Sequence, residues 1–467
     1  MTTADLWSLM PLLILAAGAL LVLLLGALVP GRYPSVIAAV TAAGAVCWMA
    51  MAPPLASLPG LGIILSPFAR LFGGLFGITA VAALLLSLRY NYRQGIVGEE
   101  YPATLLFSLF GMVALSMATN LLVLFLGLES LTFGFYFLVA CDRGRAASAE
   151  AGLKYLLSGA VAAAFTAFGL ALVYAGTGTL LIAPAMRAAL SGANPTAAAG
   201  AGLLLLGVAF KVSLVPAHLW TPDVYQGAPT PVTAFLATAS KAAALAALLL
   251  LFSGSVGSGS LHGPLWCLSL FSMLVGNLAA LRQTGLKRLI AYSSIAQMGY
   301  VALALASGSG GHGAVAFYAV VYSVMNLAAF GALAVLADQG GDRLEDLRGV
   351  GYQRPFPAGI LALSMFSLAG IPPTAGFMGK FLIFAAALKA GEIALSVIGI
   401  LTAAISAYYY LRVVTVLYLR PAESSSPADA GGMTAAEYGV LGCAGLLIVV
   451  LGILPSPLLE LIDVALR

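Results

Sequence analysis

The sequence predicts an all-α, polytopic membrane protein of about 14 transmembrane helices, and three observations carry that prediction. First, the 467 residues hold only 21 Lys+Arg and 17 Asp+Glu. At 8% charged, against about a quarter in soluble domains, the chain could not cover a soluble surface. Second, 61% of residues are hydrophobic and the mean hydropathy is +1.04. Third, apolar runs of membrane-spanning length, about 20 residues, recur from one end of the chain to the other. This composition excludes a nucleic-acid binder, a secreted disulfide scaffold and a soluble enzyme with a membrane tail. The net charge of +4 says little, because in a membrane protein the placement of charge outweighs its sum.

In chain order the runs are 6–29, 34–51, 68–88, 102–118, 120–140, 151–175, 197–216, 229–252, 264–281, 289–307, 313–337, 356–388, 393–418 and 434–454. The first has no basic leading segment and no cleavage motif, so it reads as a mature span and not a signal peptide. Spans 4 and 5 meet at a tight turn around Thr119 and Asn120. The longest polar stretch, Pro421 to Gly432, is rich in Ser, Pro, Ala and Asp and reads as a loop inside one domain.

Placement of Lys and Arg supports the span count. One set of alternate loops and loop edges holds Arg32, Arg89, Arg93, Arg143, Arg145 and Lys154. It continues with Arg282, Lys287, Arg288, Arg343, Arg348, Arg354, Arg412 and Arg420. The other set holds only Arg70, Arg187, Lys389 and Arg467. By the positive-inside rule the first set is cytoplasmic and both termini face away from the cytoplasm. The four cysteines, Cys47, Cys141, Cys267 and Cys443, are scattered singly. They read as small core residues, not cluster or zinc ligands. No nucleotide fingerprint is present, so any redox chemistry belongs to other subunits.

Three lysines and one glutamate lie inside apolar runs: Lys211, Lys241, Lys380 and Glu129. Lys241 is about 17 Å from either end of its span, beyond the reach of a snorkelling side chain. Each such group costs at least about 2.5–3.5 kcal/mol on insertion scales. A structural Glu–Lys pair tying helices together is one explanation. Three lysines exceed what one carboxylate can neutralise, however, so titratable sites along a water-accessible path explain the set better. At about 7 Å and an effective dielectric near 20, a carboxylate attracts a lysine by about 2.4 kcal/mol. Moving it is then a workable proton switch.

Two of these lysines stand beside helix breakers. Lys211 precedes Pro216 and the polar run His218 to Asp223, and Lys380 follows Gly370-Ile371-Pro372-Pro373-Thr374-Ala375-Gly376. Proline removes a donor and frees the carbonyl one turn back, which at membrane depth is tolerated only where protein or water covers it. Interrupted helices at matching places in two halves point to a transporter built from inverted repeats. Here spans 7 and 12 are broken, which relates spans 4–8 to spans 9–13. The divisions are 1–101 for the first three spans, 102–252 and 264–420 for two five-helix repeats, the second inverted, and 433–467 for the last span.

The motifs at these residues resemble the antiporter-like membrane subunits of respiratory complex I, the NADH-quinone oxidoreductase. They are Leu126-Gly127-Leu128-Glu129, Glu150-Ala151-Gly152-Leu153-Lys154-Tyr155, and the run from Phe210-Lys211 through Pro216-Ala217-His218 to Pro229-Thr230-Pro231. Leu286-Lys287-Arg288 through Ser293-Ser294-Ile295 and Ala369 through Phe381 complete them. Pro222-Asp223-Val224-Tyr225-Gln226-Gly227 is similar to the subunit N branch of that family. The 13 residues after the last span leave no room for the long lateral helix of the largest sister subunit. The resemblance implies proton translocation along a Glu/Lys axis. A helix-5 glutamate, Glu129, pairs with a helix-7 lysine, Lys211. Lys241 links two half-channels, and Lys380 opens toward the far side. Lys154 matches a further, accessory polar-axis position; His218 is an accessory candidate for a different reason, its place beside the break at the proton entrance. Where many relatives have a titrating histidine this chain has Gln297, which hydrogen-bonds but does not titrate.

The resemblance also implies a bacterial inner membrane location and partner subunits of complex I, sister antiporter-like subunits above all. No cofactor is expected in this chain; NADH, FMN, iron–sulfur clusters and quinone would belong to the partners. A subunit of a multi-subunit Na⁺/H⁺ antiporter or membrane-bound hydrogenase is the alternative. A stand-alone symporter or scaffold is a third reading, and it expects a substrate-shaped pocket at the breaks. Among the remaining residues, His262 and His312 read as solvated loop positions, and Tyr408-Tyr409-Tyr410 as an interfacial aromatic belt.

Overall fold

A computed structural model describes residues 3–28, 33–52, 60–96, 98–252, 261–336, 341–420 and 432–467. Arg32 and residues 421–431 of the polar loop lie outside this set. The described residues form helices throughout, joined by isolated β-bridges such as Asn120 to Leu181.

The first three expected spans are α1 (Thr3–Leu28), α2 (Tyr33–Met51) and α3 (Pro67–Gln94), followed by α4 (Glu100–Ser116), α5 (Leu121–Ala140) and α6 (Ala146–Thr177). At the expected turn Asn120 caps α5, its Oδ1 accepting the Val123 amide at 2.8 Å, the usual answer to unpaired N–H groups at a helix start. α7 (Ile182–Leu190) is a short helix that the apolar runs did not announce. Twelve helices among the described residues are long and apolar enough to cross a membrane. α4 and the broken span 12 bring the tally to the 14 expected.

Span 7 is α8 (Pro195–Val212), closed by an irregular turn, and the short α9 (Trp220–Gly227) follows outside the span. Ser213 is left-handed with φ 73° and Pro216 offers no amide, so the helix cannot continue. Span 8 is α10 (Thr230–Phe235), a π-helical turn (Leu236–Ser240) and α11 (Lys241–Phe252). Next come α12 (His262–Leu281), α13 (Leu286–Ala306), α14 (Ser309–Leu336) and the single-turn α15 (Val350–Gln353). Span 12 is split into α16 (Pro355–Ala369) and α17 (Ala375–Lys389), with Gly370 at φ 88° closing the first half. α18 (Ile393–Leu419), α19 (Ala435–Ile453) and α20 (Ser456–Leu466) complete the fold. The peptide bonds before Pro216 and Pro373 are cis.

Burial is inverted relative to a soluble protein. Leu24, Phe133, Leu401 and other large apolar residues are exposed on the outside, while serines and threonines such as Ser108, Thr132, Ser272 and Ser323 are buried. Helices meet through small residues, because lipid supplies no hydrophobic drive between them. A Cβ on Gly127 would lie 2.8 Å from the Gly111 carbonyl oxygen and 2.9 Å from the Leu115 amide. That backbone contact seats α5, and hence Glu129, against α4. The most enclosed segments are the α10–α11 span and α13, each 94% buried over its apolar window, followed by α14 at 83%. They hold Lys241, Gln297 and Tyr318 among their buried polar residues.

The cysteines do not sit in the core as expected. Cys47, Cys267 and Cys443 are exposed and Cys141 is half-buried. Apolar exposure costs a thiol nothing in lipid, so burial inside protein is not required there.

Candidate functional site

The broken helices determine what the inner lysines bind. In an uninterrupted helix the Val212 carbonyl would accept the amide of residue 216, but residue 216 is proline and has none. The freed oxygen accepts Lys241 Nζ at 2.8 Å, and Ser213 Oγ accepts the same ammonium at 3.0 Å. The second break repeats the arrangement. The Leu368 and Ala369 carbonyls would accept the amides of residues 372 and 373, both prolines. Lys380 Nζ donates to both, at 2.7 and 3.1 Å. Each break therefore presents proline-freed carbonyls and each is answered by a buried lysine. Lys241 comes from the neighbouring helix α11, Lys380 from the far half of its own broken helix. Lys241 is 1% and Lys380 6% exposed, so neither faces lipid.

Lys211 is the residue before Val212, at the last turn of α8, and is also buried. Its ammonium donates to Thr132 Oγ1 on α5. Thr132 lies one turn beyond Glu129 and donates in turn to the Leu128 carbonyl at 2.5 Å. Glu129 is half-buried and feels the Lys211 charge, but no direct ion pair joins them; the hydroxyl of Thr132 stands where the sequence suggested a carboxylate. Glu129, Lys211 and Lys241 thus lie in succession across α5, α8 and α11, and the carbonyl that Lys241 binds belongs to Val212, the residue next to Lys211.

Gln297 on α13 is buried and fully engaged. Its Nε2 donates to the Leu368 carbonyl at 3.1 Å and to the Tyr410 hydroxyl at 3.0 Å, and its Oε1 accepts Tyr318 at 2.5 Å. It therefore shares the Leu368 oxygen with Lys380. His218 lies within the first break, half-buried, with its Nδ1 enclosed and unpartnered. Lys154 is away from this interior. It is exposed on α6 and bridges Glu150 at 2.7 Å and Asp223 at 2.8 Å, while Asp223 also binds Arg288 at 2.6 Å. Burial of Asp223, outside the spans, raises its carboxyl, but hydrogen bonds from Lys154 and Arg288 outweigh this and hold it below the ordinary range.

Three sequence expectations are corrected here. His312 is not solvated: it lies in α14, buried, with Nε2 unpartnered. His262 begins α12 and is not in a loop, while its side chain stays 42% exposed, as expected, and pairs with Glu392 at 2.6 Å. Only Tyr408 of the tyrosine run faces outward; Tyr409 and Tyr410 are fully buried and hydrogen-bonded to Asn277 and Ser293. A third-turn rotation carries consecutive helical residues to different faces, so a triple tyrosine cannot all be interfacial.

Sequence reasoning also missed Lys287. Counted among the loop-edge cations, it is 3% exposed and donates to the Ala228 carbonyl at the end of α9, at 2.8 Å. A lone lysine beside Arg288 at a helix start looks like a surface anchor; only the packing of α9 against α13 covers it. The tyrosines Tyr318 and Tyr322, one turn apart on α14, were missed as well, although their i, i+4 spacing was visible.

The family described as "NADH:quinone oxidoreductase/Mrp antiporter, TM" matches residues 118–406. The chain is 60% identical to the NADH-quinone oxidoreductase subunit N of Geotalea uraniireducens (strain Rf4), over the full length of both. It is 57% identical, again over both full lengths, to the protein of the same name from Geobacter metallireducens. Among solved structures, a chain of respiratory complex I from Thermus thermophilus with bound aureothin superposes with a TM-score of 0.83 at 36% identity, covering 96% of this chain and 98% of that one.

Proposed function

The chain belongs to the NADH-quinone oxidoreductase subunit N family, within the wider NADH:quinone oxidoreductase/Mrp antiporter group, and on that premise we propose that it is a proton-translocating membrane subunit of a complex I. Electron transfer from NADH to quinone takes place in partner subunits, which hold the NADH site, FMN, iron–sulfur clusters and quinone. This chain moves protons through Glu129, Lys211, Lys241 and Lys380. The lipid bilayer and sister antiporter-like subunits are its neighbours, in a bacterial inner membrane, with both termini on the periplasmic side.

The observation that carries this reading is the pairing of each proline-freed set of carbonyls with a buried lysine. An ammonium in a membrane interior needs acceptors, and carbonyls without donors need cations or water. Together they make sites where a proton can reside at modest cost yet leave again. Residues 102–252 and 264–420 are the two inverted five-helix repeats, flanked by 1–101 and 433–467. Each repeat contributes one break, and inversion turns the two breaks toward opposite sides of the membrane. Lys241 joins the two half-paths, so no continuous pore short-circuits the gradient. Approach of Glu129 favours the protonated form of Lys211, and its withdrawal releases the proton inward.

The test uses inverted membrane vesicles carrying the assembled complex. Lys211→Ala and Glu129→Ala each lower NADH-driven vesicle acidification, while NADH–ferricyanide reduction, which reports an assembled peripheral arm, stays at the wild-type rate. Acidification at the wild-type rate in both variants overturns the assignment of these two residues.

A further inference from the structure

Between Lys241 and Lys380 the structure holds no titratable carboxylate or histidine among the described side chains that connect them, but it holds a set of buried hydroxyls. α13 supplies Ser293 and Ser294, α14 supplies Tyr318 and Tyr322, and α18 supplies Tyr410; all are 1% exposed or less. Tyr322 donates to Ser294 Oγ at 2.6 Å. Ser293 Oγ is hydrogen-bonded to the Tyr410 hydroxyl, and Tyr410 accepts from Gln297, which shares the Leu368 carbonyl with Lys380. At the other end, Lys241 Nζ lies 5.9 Å from the centroid of the Tyr225 ring. The Tyr225 hydroxyl is enclosed without a hydrogen bond and lies near Ser294 and Tyr322.

We propose that the hydroxyls of Tyr225, Tyr322, Ser294, Ser293 and Tyr410 carry the proton between Lys241 and Lys380, with Gln297 as the residue that positions them. This inference rests on the proposed function above and names the groups that serve its second half-path. Hydroxyls suit the task because each both donates and accepts. The Lys241 ammonium gives its proton to a water that leads to the Tyr225 hydroxyl, and becomes a neutral amine. Each oxygen that gains a proton passes its own onward, so every O–H bond is restored and no hydroxyl is left ionised. The proton ends on the neutral amine of Lys380. Water fills the steps between hydroxyls that are not in direct contact.

Gln297 contributes direction instead of a proton. Its amide N–H occupies a lone pair of the Tyr410 oxygen, which leaves the Tyr410 proton free to point at Ser293. Its Oε1 accepts a hydrogen bond from the Tyr318 hydroxyl and so keeps that hydroxyl turned toward the amide. The other hydrogen of the same amide nitrogen is donated to the Leu368 oxygen beside Lys380, tying the end of the hydroxyl chain to the terminal amine.

The experiment compares Tyr410→Phe, Tyr322→Phe and Ser294→Ala with Lys380→Ala in the same inverted vesicles, reading NADH-driven acidification against NADH–ferricyanide reduction. The hydroxyl deletions are expected to slow acidification about tenfold or more with ferricyanide reduction unchanged. Where a tyrosine variant fails to assemble, Ser294→Ala, which removes a single oxygen, decides the matter. Gln297→Leu is expected to lower acidification, and Gln297→His to retain it with a new sensitivity to pH in the imidazole range, a change that a purely structural role would not produce. Loss of acidification in Lys380→Ala together with wild-type acidification in Ser294→Ala and Tyr410→Phe overturns the hydroxyl path and leaves the lysine assignment standing. Wild-type acidification in Lys380→Ala as well overturns the underlying reading.

Discussion

Replacing Lys241 by leucine separates a structural lysine from a functional one. In the folded chain the ammonium is 1% exposed and donates to Val212 O at 2.8 Å and Ser213 Oγ at 3.0 Å. Burying a lysine at this depth costs about 2.5–3.5 kcal/mol. Leucine removes that cost and keeps much of the shape. It also removes the donor to Val212 O, which has no other because residue 216 is proline; an orphaned buried carbonyl costs about 1–3 kcal/mol. Ser213 Oγ still accepts Thr221 Oγ1 at 2.6 Å, so it is not orphaned. The two contributions oppose each other, and the net change runs from about 0.5 kcal/mol less stable to about 2.5 kcal/mol more stable than wild type. Lys241→Leu should therefore accumulate in the membrane and melt in detergent within a few degrees of wild type. NADH-driven acidification of vesicles should fall about tenfold or more, the usual scale for losing a positioned proton-transfer group. A variant that fails to accumulate while Lys241→Arg accumulates would show the lysine to be helix glue. A variant that accumulates and pumps at the wild-type rate would refute its place on the proton path.

Two further outcomes test the packing and the surface electrostatics. Gly127→Val puts side-chain carbon against backbone atoms of α4, 2.8 Å from Gly111 O, and backbone cannot step aside cheaply; the subunit should be lost from detergent-purified complex, as read by immunoblot. Asp223→Asn removes the partner shared by Lys154 and Arg288. Because the Asp223 carboxyl is held below its ordinary value, the stability it contributes is present above about pH 4 and is lost as pH falls through the folded value. The pairs are partly exposed, so the difference in melting temperature from wild type should be small at pH 7, shrink in high salt and vanish in acid.

Membrane residence and the fourteen-span plan were legible in the sequence, because spanning imposes a minimum apolar length and Lys and Arg avoid the interior. So were the four interior charges: counting residues from the end of an apolar run gives depth directly at 1.5 Å per residue, and Lys241 is central on any choice of boundaries. The two breaks followed from Pro216 and from Pro372-Pro373 for an equally local reason, the missing amide.

What the sequence could not supply was direction around the helix axis. In water one face of a helix must be polar, and the periodicity names it; in lipid both faces are apolar, and the signal that separates inside from outside disappears. That is why Tyr409 and Tyr410 resembled an interfacial belt, why Cys47 and Cys443 resembled core residues, and why Lys287 resembled a surface anchor. It is also why the partners of the lysines were out of reach. That Lys241 binds the carbonyl freed by Pro216, that Lys380 binds those freed by Pro372 and Pro373, and that Thr132 instead of Glu129 meets Lys211 depend on which helices are neighbours. Depth is a property of one helix and is written in its own residues; a hydrogen bond between α8 and α11, or between α13 and α16, is a property of packing, and only the tertiary structure decides it.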